Sequence, residues 1–179
     1  RGMEAWVPSP GGGVPGLFLT VTTLKDPSKL HRGRHTLEAF TFIDRGAFEA
    51  WGQSRCGGRP EGYRALKAEL TELMLGAVEA IVPGLRKSLV FCELGTPLTN
   101  EHYVPSTRAS LYGTEKTLGQ SYKAKTELEG LWLCGASTLS HGVFGATMSG
   151  LDAARQILDV RVEELLRAKG PPVRIYPAE

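Results

Sequence analysis

Residues 130–158 read GLWLCGASTLSHGVFGATMSGLDAARQIL. The apolar run 131–134 predicts a short buried strand, Gly135-Ala136-Ser137-Thr138 a bend, and 142–158 an apolar helix rich in small residues. The N–H groups at a helix start have no partner within the helix and carry partial positive charge, which suits an anionic ligand. Gly142, Gly145 and Ala146 leave the first turn nearly bare, so a flat ring system has room to lie against the backbone. Gly145 is placed on the side expected to face that ring. Ser149, Gly150, Ala153 and Ala154 continue a small-residue face. The same pattern also serves tight helix packing with no ligand at all.

Working outward, 161–169 predicts a last helix, stopped by Gly170-Pro171-Pro172 and followed by an extended tail. Upstream, 105–130 is long, polar and poor in hydrophobes, and loops of that length are usually functional or disordered. Before it, 87–94 reads as a strand and TPLTNEHYV as a turn into a short helix. The strongest helical signal is 61–81, where Tyr63, Leu66, Leu70, Leu73, Met74, Ala77, Val78 and Ile81 recur at threes and fours before Pro83-Gly84. Phe48 and Trp51 after Asp44 predict a short capped helix. LFLTVTTL (17–24) and HTLEAFTFI (35–43) predict two strands joined by an exposed connection. Strands and helices mix without regular βαβ alternation, so the class is α+β or mixed α/β.

Composition narrows the function. Of 179 residues, 41% are hydrophobic and 22% charged, the balance of a chain that buries a core. The net charge of +2 argues against a nucleic-acid-binding surface. No apolar run approaches the length of a membrane span, and the N-terminus lacks the apolar region of a signal peptide, so a cytoplasmic protein is expected. Cys56, Cys92 and Cys134 are odd in number and far apart, and read as buried free thiols rather than disulfides or a zinc site. His31 and His35 have helical metal-pair spacing, but HRGRH supplies no helix to aim the rings, and no metal is expected. Residues 11–16 match G-x-G-x-x-G by letter. The dinucleotide fingerprint needs a strand before and a helix after, whereas prolines precede this match and a strand former follows, so it reads as a loop.

The strand–Gly-Ala-Ser-Thr unit, followed by His-Gly-Val-x-Gly-Ala and a Ser-Gly-Leu-x-Ala-Ala helix, resembles the C-terminal flavin-contacting segment of FAD-dependent oxidoreductases with the amine-oxidase fold. The branch it resembles is the phytoene desaturase, carotenoid isomerase and retinol saturase group. PGLFLTVTTLKDPSKLHRGRHTLEAF is similar to that branch's substrate-domain strands, 83–99 to its Thr-Pro-x-Thr region, and RASLYG (108–113) to its Gly/Ala-x-x-Tyr-Gly loop. The family often carries Gly or Pro where this chain has Phe144.

The resemblance implies half of a substrate domain (1–129), the last strand and helix of an FAD domain (130–158), and a terminal helix and tail (159–179). The N-terminal dinucleotide-binding unit of the family is absent from the sequence. FAD is the implied cofactor. Gly135, Ala136 and Ser137 would lie by its pyrophosphate or ribityl chain, and Gly142, Val143, Phe144, Gly145 and Ala146 at the pyrimidine side of its ring. His141 is a candidate proton donor, although a loop His beside a ligand is more often a spacer. The implied substrate is a lipophilic, polyene-like small molecule. An FAD-binding N-terminal chain is a candidate partner, and a membrane surface a candidate peripheral contact. Two alternatives stand beside the desaturase, saturase or isomerase reading. One is a non-catalytic substrate-cap subunit or truncated remnant, the other an amine oxidase-type flavoenzyme.

Overall fold

The computed structural model describes residues 6–8, 12–114, 122–167 and 170. Phe18–Val21 (β1) and Leu37–Phe40 (β2) pair antiparallel, with Phe18 opposite Phe40 and Val21 opposite Leu37. Both strands are shorter than the sequence predicts. After Val21 the chain turns into the helical segment Thr22–Lys25 (α1) and the 3-10 turn Pro27–Lys29. The cause is local. Thr23 is buried, and its hydroxyl bonds His35 Nδ1 at 2.9 Å and accepts the Thr36 N–H, which closes the connection at its base. The letter match at 11–16 leads into β1 rather than a helix, and its Gly11 lies outside the described residues.

A 3-10 helix, Arg45–Trp51, follows, started by Asp44, whose carboxylate accepts the Gly46 N–H. Glu61–Ile81 (α2) matches its predicted bounds. Its period-3.6 stripe buries Tyr63, Leu70, Met74 and Val78, because packing one apolar face is what stabilises a helix of this kind. The Pro97–Tyr103 helix (α4) is held by a Thr96–Thr99 capping box, and Pro97 occupies the first helical position, where no N–H is needed. Phe48, Tyr63, Leu70 and Leu98 form the core of this part of the chain. Arg59 locks it from outside. Its guanidinium donates to the carbonyls of Ser54 and Leu98 and sits over the Tyr63 ring. Arg45 bonds Glu101 at 3.0 Å, and that carboxylate raises the guanidinium's pKa further.

The strand predicted over 87–94 does not form. Leu85–Ser88 (α3) is helical instead, and 89–96 runs without partners in a sheet. Gly84 adopts φ +85, which redirects the chain, and Glu79 accepts the N–H groups of Gly84 and Arg86, each at 2.9 Å. The Thr107–Ala109 turn closes this unit.

The chain divides into two compact units, Arg1–Ala109 and Ser110–Glu179. The boundary read from sequence at 129/130 falls inside the second. That unit carries Gly142–Leu158 (α5), with its predicted bounds, and Val162–Arg167 (α6). Residues 168 and 169 and the tail from 171 lie outside the described residues, as does 115–121 of the long polar stretch. The predicted buried strand at 131–134 is one arm of a tight hairpin, joined to the other by a single Lys125–Trp132 bridge. It is exposed rather than buried, with Leu131 and Leu133 at 45% and 38%, because the described residues supply no sheet to cover it. The cysteines differ from expectation in the same way. Cys56, Cys92 and Cys134 are free but exposed, lying in turns and irregular segments rather than in the core.

Candidate functional site

Within the second unit, α5 and the turn before it form one built structure. Gly145, Ser149 and Ala153 are the buried residues of α5, spaced four apart on one face. The Ser149 hydroxyl, 2% exposed, accepts the Gly135 N–H at 2.9 Å and shares a short hydrogen bond with the Thr138 hydroxyl. Thr138 Oγ1 also donates to the Gly135 carbonyl at 2.8 Å. Two buried hydroxyls therefore fix the Gly135–Thr138 bend against the helix, and a backbone turn that would otherwise need water is satisfied internally.

The glycines of the motif divide into two kinds. A Cβ on Gly145 would lie 2.5–2.7 Å from the carbonyl carbon, carbonyl oxygen and Cβ of Ser140. Gly145 thus faces the preceding turn, and its missing side chain is what lets Ser140 pass. This differs from the expectation that Gly145 lies open to a ring. Gly150 on α5 is open; at the turn, Gly135 and Gly142 are the open positions. They adopt φ +108 and +77, which L-residues rarely take, and nothing stands within 4 Å of the Cβ each lacks. Gly142 begins α5 directly after His141, whose extended backbone occupies the N-cap without a side-chain cap bond. Val143 and Phe144 point outward, 88% and 79% exposed, Ala146 is half-buried, and Ala136 and Ser137 form the middle of the bend.

The part of the RASLYG loop from Ser110 onward joins this site, which sequence reasoning did not place there. A Cβ on Gly113, at φ +77, would meet Ser137 Cα at 2.9 Å. The Thr114 hydroxyl donates to the Ser137 carbonyl at 2.8 Å, and Ser110 bonds the Gly113 carbonyl. The Tyr112 ring lies against the His141 ring with centroids 4.4 Å apart and planes 32° apart. His141 therefore has a partner that spacing alone did not reveal. The available signal was the Tyr-Gly pair, in which a bare Gly113 lets the loop approach closely enough to bring Tyr112 beside the turn.

In the first unit, a cleft of about 140 Å³ is lined by Trp6, Phe40, Ile43, Phe48, Leu70 and Met74, among others. His31 and Arg34 close a tight turn, and His35 is bonded to Thr23. Among the described residues no group of three or more His, Cys, Asp or Glu is gathered as a metal would need, and no helix is long and apolar enough to cross a membrane.

No family model matches the chain, and no solved structure matches it. Characterised relatives do. An all-trans-retinol 13,14-reductase of Danio rerio is 28% identical over 154 residues, covering 81% of this chain and 25% of that protein. The Rattus norvegicus protein of the same name is 28% identical over 170 residues, 90% of this chain and 28% of its own length. A chloroplastic prolycopene isomerase of Arabidopsis thaliana is 30% identical over 159 residues, 84% of this chain and 25% of its own. These relatives bear out the resemblance to the carotenoid isomerase and retinol saturase group. The chain spans about a quarter of the length of the relatives it matches.

Proposed function

We propose that this relative of the retinol 13,14-reductases and prolycopene isomerases forms the C-terminal part of an FAD-dependent oxidoreductase or isomerase acting on a lipophilic polyene. The observation that carries the reading is similarity along more than four-fifths of the chain to enzymes named for a retinoid and a carotenoid. A substrate-cap subunit and an amine oxidase draw no support from those relatives. The Gly-rich βαβ unit that would hold the ADP half of FAD is absent from this sequence, so in this reading another segment or chain supplies it.

The residues present fit the flavin half of such a cofactor. Gly135 and Gly142 leave open space where any other residue would place a Cβ, the first in the bend braced by Ser149 and the second at the start of α5. When bound, the flavin would supply the hydride chemistry. The chain's own part is to bind and orient. The unpaired N–H groups of the first turn of α5 favour an anionic ring edge, and Gly135, Ala136 and Ser137 would border the phosphate or ribityl portion. Val143 and Phe144 would shield the ring from water. His141, whose ring lies against Tyr112, would in this reading give or take a proton at its imidazole. The cleft at Trp6, Phe40 and Met74 is smaller than the roughly 300–1,000 Å³ of most small-molecule sites, so this cleft by itself would not enclose a polyene.

The test is to purify the full-length protein that contains this chain, record its flavin absorbance, and assay it with all-trans-retinol and prolycopene. Flavin absorbance with conversion of either polyene is expected, and His141→Gln should lower turnover without removing the flavin. A colourless protein that converts neither would overturn the reading.

A further inference from the structure

The connection between β1 and β2 concentrates unbalanced charge. Lys25, Lys29, Arg32 and Arg34 stand against one acid, Asp26, a surplus of three that exceeds the net +2 of the whole chain. All four cations are exposed, and among the described residues none enters an ion pair. Elsewhere in the same unit Arg45, Arg64, Lys67 and Arg86 each meet a carboxylate. Asp26 spends its carboxylate on the N–H and hydroxyl of Ser28, and that hydroxyl bond lowers its pKa below the ordinary value. Lys29 only lends it charge from a distance.

Two leucines flank these cations with their side chains in solvent, Leu24 at 69% and Leu30 at 43% exposed. The segment is ordered rather than loose. Buried Thr23 ties its base to His35 and Thr36, Leu30 N–H bonds the Pro27 carbonyl at 3.1 Å, and Arg34 N–H bonds the His31 carbonyl at 3.0 Å. Arg32 and Gly33 turn the chain there with φ +52 and +71. The turns thus present exposed leucines among unpaired cations. A nucleic acid would engage the cations and leave the leucines in water. A bilayer with anionic headgroups engages both, because apolar side chains enter the acyl boundary while Lys and Arg stay at the phosphates.

We propose that residues 24–34 are a docking surface for an anionic lipid bilayer. The proposal stands apart from the flavin reading, since vesicle binding needs neither cofactor nor turnover. The experiment is vesicle flotation of the full-length protein that contains this chain. Vesicles are phosphatidylcholine alone, or phosphatidylcholine with about a third phosphatidylserine, an anionic content chosen to raise the surface potential. The protein should float with the second and not the first. Lys25→Glu with Lys29→Glu and Arg34→Glu should cut partitioning about a hundredfold or more, at about fivefold for each charge lost. Leu24→Ser with Leu30→Ser should weaken it several-fold at low salt and abolish it at high salt, where screening removes the electrostatic share. All five side chains are exposed, so helical circular dichroism should stay unchanged and separate lost binding from lost fold. Equal flotation on both vesicles, or unchanged binding by either variant, would overturn the proposal. So would comparable affinity for duplex DNA that is lost in the charge variant and kept in the leucine variant.

Discussion

Ser140 crosses α5 where Gly145 offers no side chain, and that single approach sets two effects against each other. An alanine at 145 would gain helix propensity worth about 1 kcal/mol. It would also place a methyl group 2.5–2.7 Å from the Ser140 backbone and Cβ. Overpacking of this sort costs about 1–3 kcal/mol, and rigid backbone gives way less readily than a flexible side chain, so the steric effect wins. Gly145→Ala is therefore expected to lower the denaturation midpoint of the chain without any flavin present, and a midpoint equal to or above wild type would show that Ser140 moves aside freely. Ser149 gives a second check on the same turn. Removing its hydroxyl in Ser149→Ala leaves the Gly135 N–H without its acceptor and Thr138 without its short bond. The expected cost is about 1–3 kcal/mol. The more specific readout is faster hydrogen exchange at the Gly135 amide, which a merely softened helix would not single out.

Elements show which parts of the fold sequence made legible. α2 and α5 match their predicted bounds because each buries one stripe at helical period and each is long enough for that stripe to dominate. The strand expected over 87–94 fails because β-branched and aromatic residues describe a surface that fits a sheet, not a sheet that is present, and Val90 and Phe91 are 70% and 79% exposed. What replaces its start is a side-chain device invisible to periodicity, the Glu79 carboxylate that accepts two N–H groups across Gly84. The candidate site divides the same way. The glycines and the helix start were legible, whereas the Ser140–Gly145 approach and the Tyr112–His141 pair are tertiary contacts that no spacing encodes. The Glu79 device has a pH signature. The Arg86 N–H, then that of Gly84, holds its pKa below the ordinary 4.5. A carboxyl whose pKa is lowered by folding contributes stability above its unfolded pKa and loses it as pH falls through the folded one. Glu79→Ala should thus be less stable than the wild-type chain at neutral pH. The difference should shrink as pH drops below about 4.5, the ordinary value. A difference in melting temperature that stays constant down to pH 3, in the range where carboxylates titrate at about 4, would mean that the side chain matters for packing rather than charge.

At the scale of the whole molecule, apolar surface is distributed unusually. Among the described residues eight hydrophobic side chains are buried, while twenty-four large ones are exposed. Single exposed hydrophobes are ordinary, but clustered ones mark surfaces that something else covers. Phe18, Phe40 and Phe42 illustrate this in the first unit. They form an exposed aromatic ladder along one side of the β1–β2 hairpin, with ring centroids 5.0 and 5.9 Å apart. In the second unit, Val143 and Phe144 stand in solvent at the start of α5. Under the proposed function both would be covered in the full-length enzyme, the second by flavin and the protein that holds it. Two behaviours of the 179-residue chain on its own then follow together. It should self-associate and enhance the fluorescence of an apolar dye. It should also bind FAD weakly, because a Gly-rich βαβ unit supplies most dinucleotide contacts and this sequence lacks one. Adding the FAD-binding half of a full-length relative should reduce dye binding and retain flavin through gel filtration. The two readouts are coupled by the same surface, so they discriminate. A monodisperse chain that ignores the dye yet retains stoichiometric FAD would mean that α5 and its turn form a complete site by themselves, and the division of the cofactor argued above would fail.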